Sequence, residues 1–146
     1  MKRSRMFVLF FLVVAVVPCL AHHMAVVVNK DSHVADITAA NLARIIRLEA
    51  RKWPDGKDVL LVLHKDSAGE LETLEHLTHM SDSELKAFVA AHKDALTLAD
   101  SDGDVLRIVE TVPGAVGLVN VRSINDQVNI LRVGGKLPME DGYLSH

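Results

Sequence analysis

The sequence predicts a three-layer α/β sandwich, in which helices cover the two faces of a β-sheet. Two observations lead to this fold class. Short apolar runs without polar alternation are typical of strands buried on both faces, and capped amphipathic segments between them fit helical crossover connections. The predicted strands are Ala25–Asn29, Val59–Leu63, Ala115–Val119 and Val128–Val133. Four helices are predicted between these strands.

The first helix and the turn after it have clear local signals. Thr38 occupies an N-cap position, where its hydroxyl can accept from an open amide of the first turn. Leu42, Ile45 and Ile46 then share one apolar face. The segment Trp53–Gly56 reads Trp-Pro-Asp-Gly, which predicts a tight turn.

Three further helices are predicted from their starts. The leucine spacing within Ala68–Met80 indicates a helix, and Ser81–Glu84 has the pattern of a capping box that begins the next. The acids in Ser101–Asp104 lie where the last of the four predicted helices begins, at the positive end of its dipole. Pro113-Gly114 ends that helix, and Gly134–His146 is expected to be irregular.

The N-terminus has the pattern of a secretion signal. Lys2, Arg3 and Arg5 form a positive region, and Met6–Val17 is an unbroken apolar run. Small residues precede a cleavage point after Ala21. We therefore expect export across the inner membrane, with the mature protein in the periplasm.

Cleavage there makes residues 1–21 a signal peptide and residues 22–146 a single domain. Two alternatives remain open from the sequence. An uncleaved anchor is disfavoured because the apolar run is shorter than the roughly 20 residues that span a bilayer. Lipid attachment at Cys19 is disfavoured because Pro18 precedes it.

Composition excludes several function classes. Cleavage takes Lys and Arg from 16 to 13 against 19 Asp and Glu, a net charge of −6, which argues against a nucleic-acid partner. The mature chain has no cysteine, hence no disulfide. Motifs for nucleophilic, zinc-dependent or nucleotide chemistry are missing, so we expect no enzyme activity and no cofactor.

Taken in order, these elements resemble the second lobe of phosphate-type periplasmic solute-binding proteins of ABC transporters. Three segments carry the resemblance: Ile37–Gly56, the loop His64–Glu70, and Thr111–Leu118. It extends over about residues 25–144, as in a short, single-lobe member of that family. The resemblance implies a non-catalytic module that binds phosphate or another small oxyanion and serves a membrane transporter or sensor.

The resemblance places the anion loop of that family at the start of the second helix. Amides at a helix N-terminus point toward a ligand, and the helix dipole favours negative charge. The ligand residues implied for this chain are Lys65, Ser67, Ala68 and Gly69.

The loop also departs from the family pattern. Glu70 stands where the family has a hydroxyl residue, and Asp66 adds a second carboxylate. Both would repel a dianion. An alternative interpretation is that Ser67 merely caps the helix.

A second function is also compatible with the sequence. A lobe that has lost ligand binding could act as an interaction module that docks a membrane or protein partner. Conversely, a single lobe offers only half a cleft, so the binding hypothesis predicts a homodimer or partner that closes it.

Two histidine patterns have spacings that could hold a divalent metal ion. Glu72, His76 and His79 share a helical face, and cleavage would expose His22-His23 beside a free α-amine. A solvated face and a generic chelator are the preferred interpretations, so no metal is expected.

Overall fold

The computed structural model describes residues 23–144 of the chain. The predicted signal peptide, its cleavage point after Ala21, and His22 lie outside the described residues. Within residues 23–144, no helix is long and apolar enough to cross a membrane.

The described part contains seven strands and four α-helices. The strands are β1 (Met24–Asn29), β2 (Asp36–Ile37), β3 (Leu60–His64), β4 (Leu96–Ala99), β5 (Ala115–Asn120), β6 (Val128–Ile130) and β7 (Arg132–Val133). The α-helices are α1 (Ala39–Ile46), α2 (Ala68–Thr78), α3 (Asp82–Ala91) and α4 (Asp102–Thr111), and a 3₁₀ turn covers Val121–Ser123.

Five strands form one mixed sheet in the order β4-β3-β5-β1-β6. β3 is parallel to both β4 and β5, whereas β1 is antiparallel to both β5 and β6. A separate parallel pair is made by β2 and β7. Helices cover both faces of the large sheet, which confirms the predicted α/β class.

The core lies in two layers, one on each face of the sheet. Residues of α4, such as Val105 and Val109, pack on one face against alternate strand residues such as Val62. Leu42 of α1 and Leu74 of α2 belong to the cluster on the other face. All six residues of β1 are buried, because it is covered from both sides.

Two sequence predictions need correction. Strand β4 was not predicted, because its residues Leu96–Ala99 mix buried and exposed positions at the sheet edge. The single strand predicted over Val128–Val133 is wrong, since two strands occupy it. The chain leaves β1 after Leu131, whose amide donates to the Val26 carbonyl at 2.9 Å, and then pairs with β2.

The two most distinctive turns of the sequence meet in space. Nε1 of Trp53 donates to the carbonyl oxygen of Gly114 at 2.8 Å, and the amide of Leu60 donates to the same oxygen at 3.1 Å. Gly114 has a φ of +84°, which side chains rarely adopt. The contact joins the entry to β3 with the entry to β5.

The C-terminal segment is fastened by one tyrosine. The Tyr143 hydroxyl accepts from the Val26 amide at 3.1 Å and donates to the Leu131 carbonyl at 2.7 Å. Burial raises the pKa of Tyr143 to about 12. Between Gly134 and Leu144 the chain consists of turns, as predicted.

Gly114→Ala should destabilise the protein strongly. A Cβ there would lie 2.1 Å from the Asp58 carbonyl oxygen, in a left-handed conformation. We expect a loss of about 3 kcal/mol or more in the free energy of unfolding, measured by urea denaturation.

Gly56→Ala is the matched control. Gly56 has a φ of +88°, but a Cβ there meets nothing within 4 Å. Only the backbone strain of about 1–2 kcal/mol should remain. Equal losses in the two variants would contradict the steric argument.

Candidate functional site

The order in which the chain adds strands to the sheet reverses at the edge strand β4. From β3, the chain passes through α2 and α3 to the neighbouring β4. From β4, it returns through α4 to β5, which lies on the other side of β3. The carboxyl ends of these parallel strands lie together. In open α/β sheets, ligands bind in the crevice at such a switch point.

A carboxylate connects the strand ends at this crevice. Asp102, the first residue of α4, has its Oδ1 2.8 Å from His64 Nδ1. Its Oδ2 accepts from the Asn120 amide at 2.9 Å and from Ser123 Oγ at 2.7 Å. We call these four residues the Asp102 cluster. It ties the ends of β3 and β5 to the start of α4.

The Asp102 cluster is not arranged as a nucleophile and base. A carboxylate acceptor favours the proton on His64 Nδ1 and leaves Nε2 as an acceptor. The Ser123 hydroxyl, however, donates to Asp102 and not to the histidine. A serine activated for catalysis needs the opposite connection, with its hydroxyl bonded to the base.

Glu70 lies behind the loop between β3 and α2, with 1% of its surface exposed. Its Oε2 accepts from the His64 amide at 2.6 Å. Its Oε1 has no hydrogen-bond partner within residues 23–144. Burial raises the pKa of the Glu70 carboxyl well above its usual range. The hydrogen bond from the His64 amide acts in the opposite direction and lowers the pKa, and the nearby charge of Asp102 raises it further.

The loop that the resemblance singled out begins α2. Ser67 is the N-cap, and its Oγ accepts from the Glu70 amide at 3.3 Å. Lys65 and Ala68 are exposed beside it, whereas Gly69 is buried. The first amides of α2 have no acceptor within the helix. Of the four predicted ligand residues, Lys65, Ser67 and Ala68 line a surface depression, whereas Gly69 is buried and is not part of its lining.

The loop forms one end of a groove of about 540 Å³ between α2, α3 and β4. We call its hydrocarbon-lined part the apolar groove. Its walls are made by Leu71, Leu74, Leu85, Val89 and Leu98. Lys86 and Lys93 also line it. The groove thus combines the polar loop with aliphatic walls on α2, α3 and β4, and two lysines also lie along it.

Sequence reasoning missed most of the Asp102 cluster. Asp102 was interpreted only as an acid that complements the dipole of α4, and Asn120 and Ser123 were not singled out. The signal was an acid three residues after the end of a strand, but β4 is not predicted from the sequence. Without β4, the start of α4 could not be assigned to the carboxyl edge of the sheet.

The histidine pattern of Glu72, His76 and His79 lies on the outer side of α2. Glu72 and His76 are exposed, and His79 ends the helix in a left-handed conformation. Within residues 23–144, no group of three His, Cys, Asp or Glu residues is placed to hold a metal ion.

Comparison with solved structures identifies the fold. The chain superposes on an ABC-type phosphate transport receptor from Vibrio cholerae with a TM-score of 0.66 and 19% identity, over 80% of this chain and 48% of the receptor. It has the fold of one lobe of a phosphate-binding protein.

Other solved phosphate-binding proteins share this lobe. The phosphate-binding protein of Stenotrophomonas maltophilia gives a TM-score of 0.63 at 18% identity, over 80% of this chain and 40% of the other. PstS from Borrelia burgdorferi gives 0.58 at 19%, over 80% and 49%. This chain thus spans about half the length of the first receptor. No family model and no curated protein sequence matches it.

Glu70→Gln should change how stability depends on pH. A carboxyl whose pKa is raised on folding contributes its full stability below its unfolded pKa of about 4.3, and that contribution is lost as pH rises through the folded pKa. Glutamine cannot ionise, so the variant should lose less stability than the wild type as pH rises above the ordinary pKa of a glutamate side chain, measured by urea denaturation.

Glu72→Gln serves as the control, since it removes an exposed carboxyl from the same helix. It should keep the wild-type pH dependence. If the free energy of unfolding changed with pH in the same way for the wild type and Glu70→Gln, burial of Glu70 would not contribute to the pH dependence of stability.

Asp102→Ala should destabilise the protein by about 1–3 kcal/mol, because it leaves the Asn120 amide and its other partners without their acceptor. Asp104→Ala removes an acid from the same helix turn, in an ion pair with the exposed Arg107, and should cost less than about 1 kcal/mol. Denaturation of both variants measures the difference. Equal losses would contradict the role given to Asp102.

Proposed function

We propose that this chain is a non-catalytic solute-binding module that binds a small oxyanion, such as phosphate, at the start of α2. The carrying observation is the position of that helix start. Ser67 caps it at the switch-point crevice, and Lys65 is exposed beside it. Export to the periplasm, as the N-terminal pattern predicts, would place the module where such solutes are captured.

The helix start offers the interactions that an oxyanion needs. Open amides of the first turn can donate to it, and the dipole of α2 favours its charge. The Ser67 hydroxyl can add a donor, and Lys65 adds a mobile positive charge, though not a bidentate one.

The local carboxylates oppose this binding less than the sequence suggests. Burial favours the neutral form of Glu70. Asp102 is occupied by hydrogen bonds from the amide of Asn120 and the hydroxyl of Ser123 and by its contact with His64. Asp66 is exposed, where solvent and salt screen its charge.

A homodimer or a partner would complete the binding surface. The chain spans about half of the receptors whose fold it shares, and good ligand pockets cover most of a ligand's surface. Light scattering with and without phosphate should therefore show whether copies of this chain associate around the ligand.

One observation favours a second candidate, an interaction module. Leu98 lies on the edge strand β4 with 38% of its surface exposed and lines the apolar groove. Leu98 extends the apolar walls of the groove, and a contiguous apolar surface can serve as a docking site for a membrane transporter or a sensor. Binding of the oxyanion is the measurement that separates the two candidates.

Titration calorimetry of the purified protein with phosphate and sulfate tests the proposal. Ser67→Ala should weaken phosphate binding by about tenfold or more, as expected for loss of a hydrogen bond to a charged group. Absence of binding to either anion would reject the oxyanion function.

Ser81→Ala is the matched control. Ser81 caps α3 as Ser67 caps α2, with its Oγ accepting from the Glu84 amide at 3.2 Å. Both variants should lose about 1 kcal/mol of stability, but only Ser67→Ala should lose affinity. Equal weakening by the two variants would show that the effect acts through stability and not through contact.

A further inference from the structure

The anion-binding end and the apolar groove are parts of one depression. Its volume of about 540 Å³ lies within the range of roughly 300–1,000 Å³ typical of small-molecule sites. Such sites are mostly apolar, with a few polar groups that orient the ligand. Here the loop contributes Lys65 and Ser67, α3 and the residues just after it contribute Lys86 and Lys93, and the remaining walls are mostly leucine and valine.

We propose that the ligand is an organic phosphate or phosphonate with a short aliphatic chain. Its charged head would bind at the start of α2, and its chain would lie along the apolar groove. The inference rests on the proposed oxyanion function and names the class of oxyanion.

If the ligand were inorganic phosphate, the apolar walls of the groove would have no role in binding it. Phosphate is polar on all sides, so it gains nothing from contact with Leu71, Val89 or Leu98. An aliphatic chain would remove these side chains from water, and its own methylenes with them. The large exposed fraction of Leu98 makes it the wall residue with the most surface left to bury.

Glu70 supplies an independent sign of a ligand at the head end. Its side chain is buried and lines the groove, yet its Oε1 has no partner within the described residues. A buried polar atom without a partner is costly and rare. A neutral carboxyl can donate a hydrogen bond to a head-group oxygen, as buried acids do in other binding sites.

The charges along the groove favour an anion. Lys65, Lys86 and Lys93 line it, against one exposed carboxylate, Asp66. Lys86 also forms a pair with Asp82 at 3.2 Å, but both are exposed, and such a pair is weak. Because the groove is of small-molecule size, we assign it to a free ligand and not to a lipid surface.

Titration calorimetry of the purified full chain with inorganic, methyl, butyl and hexyl phosphate tests the assignment. Affinity should rise with chain length by up to about fourfold for each buried methylene, and level off once the groove is filled. Equal affinity for all four would overturn the inference and leave the oxyanion function standing. Binding of none would overturn both.

Leu98→Ala distinguishes contacts with the aliphatic chain of the ligand from contacts with its charged head. It should weaken hexyl phosphate binding by about three- to tenfold and leave inorganic phosphate unchanged. Ile130→Ala is the control, since Ile130 is exposed to 36% on the opposite edge strand; it should change neither affinity. An unchanged hexyl phosphate affinity in Leu98→Ala would overturn the placement.

Two further outcomes would assign the groove to another occupant. Sedimentation of the protein with phosphatidic acid vesicles, without binding of hexyl phosphate, would indicate a lipid surface. A dimer in light scattering that dissociates in Leu98→Glu would indicate a second copy of this chain. We expect neither, and either one would overturn the inference.

Discussion

The carboxylate of Asp102 is the interaction on which the geometry of the crevice depends. It is half-buried and engages the ring of His64, the amide of Asn120 and the hydroxyl of Ser123. His64 ends β3, Asn120 ends β5 and Ser123 follows β5, whereas the strand before α4 is β4. A polar group removed from water needs such partners, and hydrogen bonds to a charged acceptor are the stronger ones. One side chain therefore sets the relative positions of three elements.

His64 connects this carboxylate to a second one of different character. Its ring contacts Asp102, and its amide donates to Glu70. Burial favours the neutral form of Glu70, whose Oε1 is buried and has no hydrogen-bond partner within the described residues. Two acids in one crevice thus receive different roles from their surroundings. A neutral Glu70 carboxyl can act as a hydrogen-bond donor, which a carboxylate cannot.

Local features were predictable from the sequence, and long-range ones were not. The N-caps Thr38, Ser67 and Ser81 depend on neighbours three residues away, so sequence pattern places them. The contact of His64 with Asp102 joins residues 38 apart and requires the parallel pairing of β3 with β4. Strand β4 lies at an edge, where burial is incomplete, so it lacks the apolar run that revealed the central strands.

The open crevice at the start of α2 would cover only part of a small anion. Well-formed pockets cover most of a ligand's surface. One open crevice cannot surround inorganic phosphate in that way. The apolar groove offers a different source of buried area, because it extends the contact along the lobe and not across a cleft. Affinity would then come from the hydrophobic part of the ligand, with the start of α2 providing its orientation.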